Sequence, residues 1–368
     1  MSPLRLERRR GQHFDWILAG IVLVLMALGL LNLVSAAASG VEGGSDIVSR
    51  QMMVVGLGVF VMAAVVIIDY RHYDRFAYVL YGGMVGLLLL TLAIAEETRG
   101  ARAWLLSGRF QPSEVAKIGM VIALAHYFGR NPPSTIHRLR DLFIPTLIIA
   151  IPVALIVAQK DLGVAVLTLL IGLTLLPLVN VPLRAWFGIA LLGAVGLAVL
   201  WQYGLKSYQQ ERILGFLDPS RDPLSSGYQQ MQSRIAVGSG GLFGTGWQEG
   251  TQTQLRFLPT QHTDFAFSVL AEEWGFLGSA LTLGVYASML LWGLLIARNS
   301  KDAFGAVLAI GLVGTLLWPA AINIAMVIGL APVIGVPLPL FSYGGSALLS
   351  AAISIGLLLN ISMRRYVF

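Results

Sequence analysis

The sequence predicts an all-α integral membrane protein with about ten transmembrane helices, and three observations lead there. Of its 368 residues, 56% are hydrophobic and 12% charged, with a mean hydropathy of +0.76, so apolar surface far exceeds what one water-soluble core can hide. The apolar residues gather in runs close to the roughly 20 residues that cross a bilayer as a helix, parted by charged or Gly/Pro-rich breaks. The basic residues then concentrate on alternate connections, as a polytopic chain requires.

The first span, 15–36, follows Arg8-Arg9-Arg10 and runs into Ala36-Ala37-Ala38, the outline of a secretory leader. Its apolar run is longer than the roughly 7–15 residues of a leader's core, so it reads as a retained helix. Spans at 52–69 and 77–95 are plainly apolar, whereas the fourth, 112–128, is short and carries Glu114, Lys117 and His126. Spans at 143–158, 162–180 and 185–203 follow. The stretch 264–297 is too long for one perpendicular crossing, which predicts a bend or re-entrant part near Gly275 or Gly278. Pro319 and Asn323 should loosen the span 303–329, and 345–363 closes the set.

With both termini cytoplasmic, the inside segments carry 14 basic and 6 acidic residues, a balance of +8, and the remainder carries 11 against 13, or −2. That asymmetry has the sign the positive-inside rule demands. Residues 204–262 hold no span and lie outside the cytoplasm in this topology, between the seventh and eighth helices, with enough Tyr, Trp, Phe and Leu to fold onto the membrane surface. The whole chain, 1–368, reads as a single polytopic membrane domain with one large extracytoplasmic loop.

Composition also excludes chemistry. There is no cysteine, which removes thiol catalysis, disulfides and cysteine-ligated metals, and the five histidines show no HExxH-type spacing. The net charge of +6 reads as topology rather than nucleic-acid binding.

Ionisable groups inside apolar helices are costly enough to mark functional candidates. Glu114 and Lys117 lie three apart on one helical face, Asp161 opens the sixth span, Asp264 opens the eighth, and Glu272-Glu273 follow two turns deeper. All fall in the outer half of the membrane in this topology, where a polar head group on a lipid would be handled. A self-neutralising i,i+3 ion pair accounts for Glu114 and Lys117 as well as a functional role does. Helix capping accounts for Asp161 and for Asp264, although Leu258 to Phe265 carries more polar groups than a helix start needs, which favours a functional Asp264. Glu272 and Glu273 read as packing or bending devices. Gly238 to Gly246 lacks the Lys-Ser/Thr ending of a P-loop. In Phe341 to Ser346, residues Ser342, Gly344 and Gly345 offer backbone N–H groups that suit an anion, or form a plain helix-start turn.

These stretches resemble the SEDS family (shape, elongation, division and sporulation proteins) over nearly the whole chain. The matching residues are Gln111-Pro112-Ser113-Glu114 with Ala116-Lys117, Asp161-Leu162-Gly163, Phe216-Leu217-Asp218-Pro219 with Asp222-Pro223, and Gln232-Ser233 leading into Gly238 to Leu242. Leu258-Pro259 through His262-Thr263-Asp264-Phe265, Glu272-Glu273, and Pro339 with Phe341 to Ser346 complete the set. Gly250 to Leu255 and the short tail after Arg365 are similar to the rod-elongation branch more than to the division branch. Three positions depart from the family pattern: Lys160 where proline is usual, Leu340 where a second aromatic is usual, and Trp274 where leucine is common.

The resemblance implies a peptidoglycan glycosyltransferase of the bacterial cytoplasmic (inner) membrane that polymerises lipid II on its outer face, in partnership with a class B penicillin-binding protein. Asp264 matches the family's essential aspartate, and Glu114, Lys117 and Asp161 match further functional positions. Lipid II brings its own undecaprenyl-pyrophosphate leaving group, so the enzyme must supply a base for the acceptor hydroxyl, and one placed carboxylate suffices. Asp264 is the candidate base of an inverting displacement. Lys117, an outer-loop arginine such as Arg109, or a divalent cation would stabilise the pyrophosphate, with Ser342, Gly344 and Gly345 as further substrate contacts. The rival reading is a lipid flippase or transporter, since intramembrane charges and broken helices also mark transporters. A partner-scaffolding role is a third.

Overall fold

The computed structural model describes residues 14–38, 44–97, 100–106, 108–131, 139–176, 226–258 and 260–365, with scattered positions between 187 and 216. Among them every regular element is a helix apart from one isolated bridge between Leu105 and Phe110. The helices are α1 (Trp16–Ala38), α2 (Gly44–Ile67), α3 (Tyr70–Arg75), α4 (Ala77–Ile94), α5 (Pro112–Arg130) and α6 (Phe143–Ala158). After these come α7 (Leu162–Leu173), α8 (Ser226–Ser239), α9 (Thr251–Gln254), α10 (Ala266–Arg298), α11 (Ala303–Val327) and α12 (Gly345–Arg364). Six of the described helices, α1, α2, α4, α10, α11 and α12, are long and apolar enough to cross a membrane, and α6 and α7 are shorter apolar helices. The predicted span 185–203 and the start of the long loop fall outside the described residues but for those scattered positions.

Two boundaries differ from expectation. Helix α2 starts at Gly44 rather than 52, because Ser45-Asp46 to Gln51 is too polar to read as a span yet still helical. Helix α7 ends at Leu173, where the Thr174 hydroxyl donates to the Leu170 carbonyl (2.9 Å) and a turn begins. The short α3 was not anticipated; Asp69 caps it by accepting from the Arg71 N–H at 3.0 Å.

Helix α5 forms the centre. It packs against α4, α6 and α11 and buries nearly all of its residues, Glu114 and Lys117 included, so it needs no apolar face toward lipid. Helices α2 and α4, by contrast, expose most of their surface. Hydrocarbon gives no hydrophobic drive between helices, so close contact at small residues must supply the packing. The α2 to α12 contact shows it: a β-carbon at Gly58 would stand 2.6 Å from Leu348 Cδ2.

The expected break in the long helix is at Gly275, whose φ of 64° and ψ of −160° interrupt α10. The freed backbone groups are met by the chain at 241–246. Thr245 and Gly246 N–H donate to the Glu272 and Glu273 carbonyls at 3.0 and 3.2 Å, and Phe276 and Leu277 N–H donate to the Gly241 and Leu242 carbonyls at 2.9 and 3.1 Å. Glu272, fully buried, accepts from Gln252 N–H, Thr253 N–H and the Thr253 hydroxyl, which fastens α9 to the same place. The long loop is thereby stitched into the gap of α10, and the first part of that helix, 266–274, becomes a separate short arm.

Candidate active site

Asp264 stands just before that arm. The cap position of α10 is Phe265, and no side chain caps it there. Asp264 is half-buried, and its backbone carbonyl accepts from Asn323 Nδ2 at 2.7 Å. The same nitrogen donates to the Val336 carbonyl at 2.7 Å. Gly335, with φ of +68°, lies beside the carboxylate, where a β-carbon would stand in ordinary contact, 3.5 Å from Asp264 Oδ2, and its left-handed backbone favours glycine.

Beyond Val336 lies a small cleft lined by Glu114, Lys117, Leu167, Thr315, Pro319, Val336, Pro337, Pro339, Ala347, Ser350 and Ala351. The Lys117 ammonium meets Glu114 Oε1 at 2.7 Å, their side chains 3% and 11% exposed. The Ser350 hydroxyl holds the Glu114 carbonyl at 2.9 Å, fixing α5 against α12.

Asp161 caps α7, accepting from the Val164 N–H at 3.3 Å, and also accepts from Gln111 Nε2 at 2.8 Å. Capping therefore explains one of its oxygens, and a link to the residue that precedes α5 explains the other. Helix α7 presses on the cleft wall, since a β-carbon at Gly163 would lie 2.9 Å from the Ile334 carbonyl. Arg109 is exposed. Its backbone carbonyl accepts from the Ser346 hydroxyl at 3.3 Å, while Gln111 N–H donates to Ser346 Oγ at 3.0 Å.

The Phe341 to Ser346 turn is pinned on all sides. A β-carbon at Gly29 of α1 would stand 2.5 Å from the Phe341 carbonyl. Ser342 Oγ accepts from Leu338 N–H at 3.0 Å, Gln51 Nε2 donates to the Ser342 carbonyl at 3.3 Å, and Gly344 N–H donates to Gln51 Oε1 at 3.4 Å. Tyr343 N–H donates to the His262 carbonyl at 3.0 Å. Gly345 opens α12. The hydroxyl of Ser342 and the amide of Gly344 thus hold the turn itself together.

The structure brings Glu114 and Lys117 into one cleft, sets Asp264 behind its Val336 wall, and ties Asp161 and Arg109 to its margin through Gln111 and Ser346. Sequence reasoning missed Asn323 as a joint, together with Gln51 and Ser346. Each acts through partners tens to hundreds of residues away, which no local spacing reveals. For a divalent cation, no three His, Asp or Glu side chains among the described residues gather as a metal-holding group, and Glu114 already holds Lys117.

A sequence profile of the cell cycle protein family FtsW, RodA and SpoVE matches residues 15–367. The chain belongs to this family. It is 40% identical to peptidoglycan glycosyltransferase MrdB of Escherichia coli K12 over 359 residues, 96% of this chain and 94% of that protein. It is 32% identical to peptidoglycan glycosyltransferase RodA of Treponema pallidum over 438 residues, covering 97% of this chain and 100% of the relative. Among solved structures, the fold is similar to a chain of a peptidoglycan synthase complex, with a TM-score of 0.82 and 34% identity, covering 96% of this chain and 99% of that one. It is also similar to rod shape determining protein RodA of Thermus thermophilus, with a TM-score of 0.71 and 32% identity, covering 96% and 98%. Like its SEDS relatives, the chain is a multi-pass protein of the inner membrane.

Proposed function

We propose that this chain polymerises lipid II on the outer face of the membrane, with Asp264 as the base. The chain is a peptidoglycan glycosyltransferase, as are the relatives that match it over nearly their whole length. The observation that carries the finer reading is the placement of Asp264: it stands just before the Phe265 cap position of a broken helix, and its carboxylate lies against Gly335, beside the wall of the Glu114–Lys117 cleft.

In this reaction Asp264 takes the proton of the acceptor GlcNAc 4-hydroxyl as that oxygen attacks the donor MurNAc anomeric carbon. The bond to undecaprenyl pyrophosphate breaks with inversion, and the pyrophosphate leaves without a general acid. Lys117 supplies positive charge within the cleft and Arg109 at its rim. Asp161, through Gln111, and Ser342, Gly344 and Gly345 hold the surrounding backbone in register and supply further substrate contacts. Both termini are cytoplasmic and residues 204–262 are outside. A class B penicillin-binding protein cross-links the product, a partnership supported by the likeness to a synthase complex that coordinates polymerization and crosslinking.

Purified protein with lipid II in detergent tests the activity, because transport has no meaning there: glycan strands are expected from the native chain, and roughly 10²–10⁴-fold slower polymerisation from Asp264→Asn. Lipid II left unpolymerised by the native chain would favour the flippase reading. For topology, an impermeant thiol reagent on intact cells should label a cysteine placed at 225 and spare one at 138. The reverse pattern removes the outer-face site.

A further inference from the structure

Asn323 is fully buried on α11, one turn after Pro319, and its Oδ1 has no hydrogen-bond partner among the described residues. A buried amide with an unmet oxygen carries a desolvation cost, so its place here rests on what its nitrogen does. What the amide does achieve is a bridge. Its single nitrogen donates both hydrogens, one to the backbone carbonyl of Asp264 and one to that of Val336, each at 2.7 Å. Those two carbonyls belong to the two parts of the site: the residue proposed as base, and the wall shared with Glu114 and Lys117. Pro319 lines the same cleft from the same helix, so α11 contributes both a surface and a joint.

We infer that Asn323 is the positioning residue of the reaction, setting the Asp264 carboxylate at a fixed distance from the cleft. The inference rests on the reading of Asp264 as base. The first arm of α10 is short and severed at Gly275. Asn32 steadies it at the Ala266 carbonyl (2.9 Å) and the loop steadies its far end, while the Asn323 amide ties the backbone of Asp264 itself to the cleft wall. A displacement of about 1 Å at a reacting group costs on the order of 10²-fold in rate.

The test is a mutant cycle on purified full-length protein with lipid II. Asn323→Leu leaves two buried carbonyls unmet and should lower the melting temperature, while per folded molecule kcat falls about 10²-fold and KM stays near its native value. Asn323→Ser, which reaches neither carbonyl with two donors, should behave alike and serves if the leucine variant misfolds. In the Asp264→Asn background the same substitutions should cost less than about threefold, because a residue that acts through the carboxylate has nothing left to position. Equal losses in both backgrounds, or native turnover in a folded Asn323→Leu, overturn the inference and leave Asp264 as base untouched. Native turnover of Asp264→Asn alone overturns the reading of the base and this inference with it.

Discussion

The two ends of the bundle use buried polar side chains for different ends. At the end where the start of α1 meets the end of α12, Asp15 accepts from Trp292 Nε1 (2.9 Å), the Ser362 hydroxyl (2.8 Å) and the Leu18 N–H (3.2 Å). Asn360 donates to the Val65 carbonyl near the end of α2 at 2.7 Å and to the Ile68 carbonyl just past it, and accepts from Tyr70 N–H at 3.1 Å. Arg364 covers the Val66 and Ile67 carbonyls, each at 3.1 Å. Tyr70 donates to the Asp302 carboxylate, and burial together with that carboxylate lifts its hydroxyl well above the usual tyrosine range. Every one of these groups closes a helix end or another polar group. At the Asp264 end, by contrast, Asn32, Asn323 and Glu273 each keep one buried oxygen without a hydrogen-bond partner among the described residues. Helices there are broken or begin uncapped. The groups named at the first end are satisfied and hold the fold; at the other, three buried oxygens go unmet in favour of placement, as at sites.

The largest effect that separates the ends is on aspartates. Asp264→Asn should lose roughly 10²–10⁴-fold in polymerisation with an unchanged melting temperature. Asp15→Asn should do the opposite, destabilising by about 1.5–3 kcal/mol through lost charge-assisted hydrogen bonds, with native turnover per folded molecule. Thermal melts and polymerisation rates on both variants decide it; a stable, active Asp264→Asn would erase the contrast.

The Glu114–Lys117 pair sharpens it. Glu114→Ala or Lys117→Ala strands a buried charge at a cost of about 3–5 kcal/mol, so either alone confuses stability with activity. The charge-swapped double variant separates them. Restored folding without polymerisation identifies a substrate contact, whereas full recovery of activity reduces the pair to a brace between helices.

The sequence makes the spans legible because a bilayer imposes one simple rule, and 77–95, 143–158 and 345–363 coincide with α4, α6 and α12 to within a residue or so. The kink at Gly275 is legible for a related reason, since 34 residues from 264 to 297 overshoot the membrane. Helix α5 is the least apolar of the spans because protein surrounds it, and hydropathy measures only contact with lipid. The site is legible as a set of charges but not as an arrangement. Gln111 to Asp161, Asn323 to Asp264 and Gln51 to Ser342 span 50, 59 and 291 residues, and periodicity has no reach over such separations. Glu272 reads as a packing device in sequence, yet what it packs is the long loop, which only the folded chain shows.

The smallest effect concerns how Asp161 is delivered to the margin of the site. Helix α6 ends in a turn where Lys160, at φ of +65°, donates from its N–H to the Val157 carbonyl at 2.9 Å, and Asp161 N–H donates to the Ile156 carbonyl at 3.2 Å. This pair of bonds is the Schellman pattern, whose left-handed position favours glycine. The family pattern favours proline there, but a proline ring fixes φ near −65° and has no N–H, so in this chain Lys160→Pro should cost about 2 kcal/mol and shift Asp161 off its cap. Lys160→Gly relieves a left-handed side chain, worth about 1 kcal/mol. It also removes a partly exposed ion pair with Glu97 (3.1 Å), worth about 0.2–1 kcal/mol. The net change in stability should therefore stay under about 1 kcal/mol, with polymerisation intact. A proline variant as stable and active as the native chain would show that this turn does not hold Asp161 in place, and would move that task to Gln111.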